Sequence, residues 1–125
     1  MSADDRRREI AAHIGRDPFA ARLGARLEAI EPGHSRVTLT IGDEMTNFHG
    51  VAHGGVIFTL ADIALAAASN SRGQTALALN VAITFVRPTR PGDHLVAEAQ
   101  ERHVGGPTGL YDVTVRLADS GELVA

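Results

Sequence analysis

The carboxylate of Asp62 is the side chain that ordinary packing explains least. It lies in the middle of an apolar run, 56–69, that is rich in alanine and leucine. Carboxylates are almost never buried without a partner, because removing the charge from water is costly. Two interpretations stay open from the residue types alone. Asp62 pairs structurally, with Arg72 or across a dimer, or it takes part in catalysis.

Two glycines, Gly54 and Gly55, precede the apolar run and predict an uncrowded helix start. The first backbone N–H groups of a helix have no partner inside it, and they carry the positive end of the helix dipole. Such groups can stabilise the oxyanion of a polarised carbonyl. Asp62 lies about 12 Å further along the axis, at roughly 1.5 Å per residue. If both groups act on one carbonyl, a second copy of the helix supplies one of them, which indicates an inter-subunit site.

Small and polar side chains form one stripe along the predicted helix. At roughly 100° per residue, Gly55, Thr59, Ala66 and Ser69 all fall within about 60° of Asp62. The rest of the helix surface is apolar, and one small sheet cannot cover all of it. We therefore expect a dimer whose sheets join edge to edge and whose helices lie side by side, with the sites at the interface.

Residue types exclude several other chemistries. The chain has no cysteine, so a disulfide, a thiolate nucleophile and a thiolate metal site are all excluded. No serine lies in a G-x-S-x-G elbow, and the spacing from Gly50 to Gly55 lacks the lysine of a phosphate-binding loop. A net charge of −3 and 4% aromatic residues argue against a nucleic-acid partner. The apolar run is too short to cross a membrane. With no cysteine and no visible signal peptide, we expect a cytoplasmic protein.

His49 and His53 are four residues apart, a spacing that suits zinc when both residues lie on a helix. Here the pair flanks Gly50 in a loop, and no third ligand follows at an informative spacing. We therefore interpret these histidines as residues that order the loop by hydrogen bonding, and we predict no metal site.

Periodicity predicts the elements that must position these residues. A polar helical segment at the N-terminus precedes a short helix that begins at Asp17-Pro18 and ends near Gly24. Alternating apolar residues predict strands at 36–41, 77–85, 95–99 and 111–117, and a further strand begins at Glu122. One strand, one buried helix and successive hairpin strands indicate an α+β fold, an antiparallel β-sheet wrapped around one long central α-helix.

Residues 47–62, N-F-H-G-V-A-H-G-G-V-I-F-T-L-A-D, resemble the N-x-x-G-x-x-H-G-G-x-x-F-x-L-A-D motif of the hotdog-fold acyl-CoA thioesterases. The stretches N-V-A-I-T-F-V-R-P at 80–88 and P-G-D-H-L at 91–95 are similar to the phenylacetic acid degradation branch of that family. The resemblance covers about residues 18–125. It implies one hotdog thioesterase domain over residues 1–125, with residues 1–17 as an N-terminal helical extension.

Carried over position by position, the resemblance implies a role for each residue of the motif. Gly54 supplies the backbone N–H that polarises the thioester carbonyl, and Asp62 of the neighbouring subunit is the nucleophile or the general base for water. Asn47 positions the carbonyl or the water, and His53 fixes the loop. The substrate-binding residues expected beside these are Gly55, Thr59, Ala66, Arg87 and Arg90.

The nucleotide phosphates of coenzyme A need cations at the mouth of such a site. Arg87 and Arg90 lie in a proline-rich turn after the strand predicted at 77–85, and Arg72 lies just past the helix. The alternative for each is an ordinary turn arginine.

The activity that the resemblance implies is hydrolysis of a small, aromatic, phenylacetyl-type acyl-CoA to the free acid and CoA. It implies no metal or redox cofactor, since coenzyme A is part of the substrate. It also implies homodimers that pair into tetramers, without a nucleic-acid or membrane partner. Chains of this family run on through the last strand by several residues, whereas this sequence stops at Ala125, so we expect a short sheet edge.

Three alternatives stay open beside this activity. One is a non-catalytic acyl-CoA binding or sensing module, although the residues before Ala20 are too few for a DNA-binding unit. Another is a dehydratase or hydratase of the same fold, for which the spacing from His53 to Asp62 is a poor match. The third is a medium-chain fatty acyl-CoA thioesterase with an apolar tunnel lined by Ile57, Leu60, Ile63 and Leu65.

Overall fold

The computed structural model describes all of residues 1–125. The helices are α1 (Ala3–Ile14), α2 (Pro18–Leu23) and α3 (Gly54–Ser69). The strands are β1 (Arg26–Glu31), β2 (His34–Thr40), β3 (His94–Gly105) and β4 (Thr108–Leu117), and a 3-10 turn covers Asp43–Met45. The strands form one antiparallel sheet in the order β1-β2-β3-β4. This confirms the predicted α+β arrangement of one long helix against an antiparallel sheet.

The core lies between α3 and the inner face of the sheet. The buried residues of α3 are Ile57, Leu60, Ala64, Ala67 and Ala68. Alternate residues of three strands face them, including Val37, Leu39, Leu95, Ala97 and Val115. Ser35 ties the two layers together, because its hydroxyl donates a 2.6 Å hydrogen bond to the carbonyl of Ala64. Three alanines on the buried face of α3 let the helix backbone approach the strands closely.

The sequence pattern does not predict β1, because a bulge interrupts its alternation. Leu27 is paired with Val37, whereas Ala29 is paired with Arg36, so one extra residue lies between them on β1. The turn into β2 contains Gly33 with φ of 77°, a backbone conformation that favours glycine.

The predicted strand at 77–85 is wrong for a single chain. This segment belongs to no strand, and none of its backbone N–H groups has a hydrogen-bond partner. Pairing begins only at Val86 and Arg87, whose N–H groups both donate to the carbonyl of Val124. The alternating side chains are present, but no other segment of the chain lies alongside them as a ladder partner. The strand predicted to begin at Glu122 is reduced to one isolated bridge between Leu123 and Arg116.

Both N-terminal helices are capped. Ser2 and Asp5 form a capping box at the start of α1. Asp17 caps α2, and Gly24 ends it in the left-handed conformation. The α1 helix lies against the turn after α3, since a Cβ added to Gly73 would be 3.1 Å from Ile10 Cδ1. No helix of the protein is both long and apolar enough to cross a membrane.

Candidate active site

The loop that precedes α3 is held at both ends by backbone hydrogen bonds. The His53 N–H donates to the carbonyl of Met45 at 2.8 Å, and the Ala52 N–H donates to the carbonyl of Thr89 at 2.7 Å. Thr46 and Ala52 also form an antiparallel bridge. These contacts fix the direction in which the chain enters α3. Nothing in the sequence pattern points to Thr89, a residue that is only 1% exposed.

Asn47 shapes the tip of this loop. Its backbone N–H donates to the carbonyl of Val51, and its carbonyl accepts from the N–H of Gly50. Its side-chain Oδ1 accepts from the N–H of His49 at 2.9 Å. Gly50 takes the left-handed conformation, with φ of 77°. The side-chain NH₂ of Asn47 has no partner in the chain, so this group is free to donate to a ligand.

The first residues of α3 leave one backbone donor free. His53 is the N-cap residue, and its Nδ1 accepts from the Gly55 N–H at 3.3 Å. The N–H groups of Val56 and Ile57 both donate to the His53 carbonyl. The Gly54 N–H has no partner. Gly54 therefore offers the free donor at this helix end, whereas the N–H of Gly55 is engaged within the chain.

An aromatic ring lies over Gly54. A Cβ added at this position would be 3.4 Å from Phe85 Cζ, an ordinary van der Waals contact. Phe85 is nevertheless half exposed, so the ring does not seal the helix end from outside. The sequence pattern identified Phe85 only as one residue of an alternating strand.

Asp62 lies two turns further along α3 and is exposed in the single chain. Its carboxylate makes no hydrogen bond or ion pair. Gly55, Phe58 and Ala66 are exposed on the same side of the helix, which points away from the sheet. Thr59 is half-buried between them, and its hydroxyl donates to the Gly55 carbonyl at 2.7 Å. The predicted stripe of small and polar residues therefore lies on the uncovered face of α3.

One of the interpretations left open for Asp62, a pairing with Arg72, is wrong, because Arg72 binds a different carboxylate. Its guanidinium donates to both carboxylate oxygens of Glu101, at 2.6 and 3.1 Å. These hydrogen bonds lower the pKa of the Glu101 carboxyl and raise the pKa of Arg72. The Tyr111 hydroxyl donates to Glu101 at 3.3 Å, and burial, with the nearby carboxylate, raises the pKa of Tyr111. This cluster connects the end of α3 to β3 and β4. Because the Arg72 guanidinium is bound to Glu101, it is not a free cation for a phosphate.

The two arginines of the proline-rich turn differ in their contacts. Arg87 forms an ion pair with Glu122 at 2.9 Å. The backbone N–H of Arg90 donates to Asp93, but the Arg90 guanidinium has no partner. Thr89 lies between them and holds the loop before α3, so both arginines lie in the chain segment that contacts the start of that helix. Arg90 is the freer of the two to bind an anion.

The structure thus brings some predicted site residues together and leaves others apart. Asn47, His53 and Gly54 share the loop and the first turn of α3, next to the turn of Arg87 and Arg90. Asp62 and Ala66 lie further along the same helix. The residues predicted for an apolar tunnel do not share one space, because Ile57 and Leu60 are buried against the sheet and Ile63 faces a cleft on the flank of α3.

Comparison with known proteins gives one consistent result. The family model described as the thioesterase superfamily matches residues 49–124, which is more than half of the chain. Acyl-coenzyme A thioesterase PaaI of Escherichia coli strain K12 is 43% identical over 99 residues, which cover 79% of this chain and 71% of that protein. The solved structure of the E. coli PaaI protein from the phenylacetic acid degradation operon has a TM-score of 0.91 at 38% identity, covering 98% of this chain and 89% of that one.

A third relative was solved with a ligand. The smu.793 protein of Streptococcus mutans UA159, bound to acetyl CoA, is 35% identical, with a TM-score of 0.75 and 78% of each chain covered. These similarities confirm the predicted hotdog thioesterase fold.

Proposed function

Since the chain belongs to the thioesterase superfamily and is an acyl-CoA thioesterase, we propose that its substrate carries a small, aromatic acyl group of the phenylacetyl type. Support for the acyl group comes from E. coli PaaI, a protein from the phenylacetic acid degradation operon. Support for the CoA portion comes from the S. mutans relative bound to acetyl CoA.

The observation that carries the mechanism is the pair of unengaged groups on α3. The free N–H of Gly54 donates a hydrogen bond to the thioester carbonyl oxygen and stabilises the negative charge that develops there. Asp62 supplies the carboxylate. An acyl thioester is already electrophilic, so one carboxylate and one oxyanion donor suffice without a catalytic triad.

Two versions of the reaction fit these groups. As a general base, Asp62 takes a proton from water while the water oxygen bonds to the carbonyl carbon. The carbon–sulfur bond then breaks, and the CoA thiolate leaves and takes up a proton. As a nucleophile, the Asp62 carboxylate itself bonds to that carbon, the carbon–sulfur bond breaks, and the CoA thiolate leaves and takes up a proton. Water then hydrolyses the resulting anhydride, which releases the acid and restores the carboxylate. In both versions the free side-chain NH₂ of Asn47 holds the carbonyl or the water, and His53 keeps the loop in place through its bond to Gly55.

The two groups come from different chains in this proposal. Gly54 and Asp62 are about 12 Å apart along the helix axis, at roughly 1.5 Å per residue, which is too far for one carbonyl. A partner whose α3 lies alongside brings its own Asp62 to the free N–H of Gly54. The unpaired segment 77–85 supports this assembly, because Leu77 is 90% exposed and Leu79 is 86% exposed. We propose a homodimer joined at this edge, with a dimer of dimers as the larger assembly.

Thiol release tests the proposed function directly. We expect measurable kcat/KM on acyl-CoA esters, with phenylacetyl-CoA preferred over benzoyl-, short-chain and medium-chain esters. A preference for medium-chain esters would contradict the proposed aromatic acyl group and indicate a fatty acyl group. Tight binding of acyl-CoA without thiol release from any ester would instead establish the sensing module.

A further inference from the structure

A cleft of about 230 Å³ lies on the flank of α3, and the proposed chemistry does not use it. Ile63, Ala66 and Ala67 of α3 line it, as do Ala20 and Ala21 of α2. Its other lining residues come from the end of α1, the turn into α2, the start of β1 and the residue that ends α3. The cleft therefore lies where the N-terminal helices meet the central helix.

The cleft adjoins the face of α3 that carries Asp62. Ala66 lines the cleft and is also exposed on that face, one turn after Asp62. The rise between the two residues is about 6 Å, at roughly 1.5 Å per residue. A group that leaves the carbonyl near Asp62 and passes over Ala66 therefore enters the cleft of the same chain.

The lining of the cleft suits an apolar group. Eight of its 12 lining residues are hydrophobic. Two of its three polar side chains are already engaged within the chain, and the third, His13, is exposed and has no partner in the chain. The Asp17 carboxylate accepts the Ala20 N–H at 3.0 Å, and the Asn70 side chain binds both the N–H of Ala76 and the carbonyl of Ala66 at 2.8 Å. Neither offers an unpaired group to a charged ligand.

The size of the cleft suits one part of a substrate. Sites that hold a whole small molecule measure roughly 300–1,000 Å³, so a cleft of about 230 Å³ is too small for the nucleotide and the acyl chain together. An acyl group is the part of acyl-CoA that is both apolar and this small.

We propose that this cleft receives the acyl group and that the α1–α2 segment sets the largest acyl group that the protein accepts. The inference rests on the proposed acyl-CoA hydrolysis and adds the specificity-determining surface to it. Ala21 is the key position, because its small side chain leaves the space between α2 and α3 open. Ile14, at the end of α1, limits the cleft from the other side.

Opposite changes of volume test the proposal. We compare kcat/KM for the best bulky substrate, phenylacetyl-CoA or octanoyl-CoA, with kcat/KM for acetyl-CoA. Filling the cleft with Ala21→Phe should lower this ratio at least tenfold, since one methylene in an apolar pocket discriminates by about 10–200-fold. Enlarging it with Ile14→Ala should raise the ratio. Ala12→Phe is the matched control, because Ala12 is exposed on α1 and does not line the cleft.

The outcomes distinguish failure of the acyl cleft from failure of the proposed function. Opposite shifts from Ala21→Phe and Ile14→Ala, with no shift from Ala12→Phe, support the acyl cleft. An unchanged ratio in both cleft variants, in a protein that hydrolyses acyl-CoA, overturns the cleft and leaves the proposed function standing. If Ala21→Phe does not fold, the ratio for Ile14→Ala decides alone. Absence of hydrolysis of every ester by the unmodified protein overturns both proposals.

Discussion

The backbone N–H of Gly54 and the carboxylate of Asp62 lie two turns apart on α3, and neither has a partner within the chain. The first N–H groups of a helix have no partner inside it, and an exposed carboxylate is solvated by water, so both groups are free to bind a ligand. Their separation prevents joint action on one carbonyl within a single chain. Their shared lack of partners is what a site assembled from two chains requires.

Replacing Asp62 with asparagine should remove catalysis while keeping the shape of the side chain. Loss of a general base or nucleophile costs about 10²–10⁴ in rate, so kcat should fall by that factor while acyl-CoA still binds. Steady-state thiol release gives kcat, and calorimetry gives the binding affinity. Asp119→Asn is the matched control, because Asp119 is an exposed turn carboxylate. Full activity in Asp62→Asn would refute the catalytic role.

Mixing two inactive variants should restore part of the activity if the site is shared. Gly54→Ala should fold, since its new Cβ meets only the tip of the Phe85 ring at 3.4 Å, and it should be inactive because the methyl group crowds the carbonyl. In a mixed dimer with Asp62→Asn, one site has both residues intact and the other has both altered. Random exchange makes half of the dimers mixed, so recovery should reach about a quarter of the unmodified activity.

The control for this experiment is proof that subunits exchange, for which a mass-labelled variant suffices. No recovered activity despite proven exchange would place both residues of each site in one chain.

Removing an arginine of the proline-rich turn should weaken binding of coenzyme A. An exposed charge contact contributes up to about 1 kcal/mol, so Arg90→Ala should raise KM about fivefold with little change in kcat. Arg87→Ala should have a smaller effect, because this side chain is paired with Glu122. Added salt should reduce the difference between variant and unmodified protein. Arg102→Ala, which breaks a surface ion pair on the β3–β4 hairpin, is the control. Unchanged KM in both turn variants would reject this phosphate site.

A charge on the unpaired edge should prevent assembly. Leu79→Asp places a carboxylate where the dimer proposal buries an apolar side chain, so sedimentation at micromolar concentration should show a monomer with no thioesterase activity. Leu110→Asp is the matched control, since Leu110 is also exposed but lies on β4. An active monomer of either the variant or the unmodified protein would contradict the shared site.

The Glu101 carboxyl should make stability depend on pH in the acid range. Its pKa in the folded protein is lowered from the ordinary 4.5 by the Arg72 hydrogen bonds. Its contribution is therefore complete above about pH 4.5 and is lost as the pH falls through the lower folded pKa. Glu101→Gln should lower the Tm at pH 7 and flatten its decline below pH 4.5, as measured by thermal unfolding. Glu9→Gln, at an exposed position of α1, should leave both unchanged; an unaltered pH profile in Glu101→Gln would exclude this contribution.

The elements that sequence alone predicts here are those with local signals. The α3 helix has its cap, its glycines and its apolar run in one continuous stretch, and the strands around Leu95 and Val115 alternate without interruption. The sequence pattern does not predict the β1 strand, because the bulge between Leu27 and Ala29 breaks the alternation. Alternation at 77–85 indicates that the side chains suit a sheet. It does not indicate whether the same chain provides the neighbouring strand.

The features of the candidate site also divide into those that local sequence predicts and those that depend on long-range contacts. The motif places Gly54 and Asp62 at their positions on the helix, because helical geometry converts spacing into position. It does not show that Arg72 binds Glu101, since the two are 29 residues apart and meet only through the sheet. It also does not show that His53 occupies the Gly55 N–H and leaves the Gly54 N–H free. Long-range contacts of this kind depend on the folded structure.

Deuterium exchange of the backbone amides in segment 77–85 can be used to follow assembly. Backbone amides without a hydrogen-bond partner exchange with deuterium at close to the rate of an unfolded chain, whereas amides of a central ladder exchange only on opening. In an isolated chain the amides of 77–85 belong to the first group and those of β3 to the second. Deuterium uptake at these nine positions therefore measures, residue by residue, how much of this edge a second chain covers.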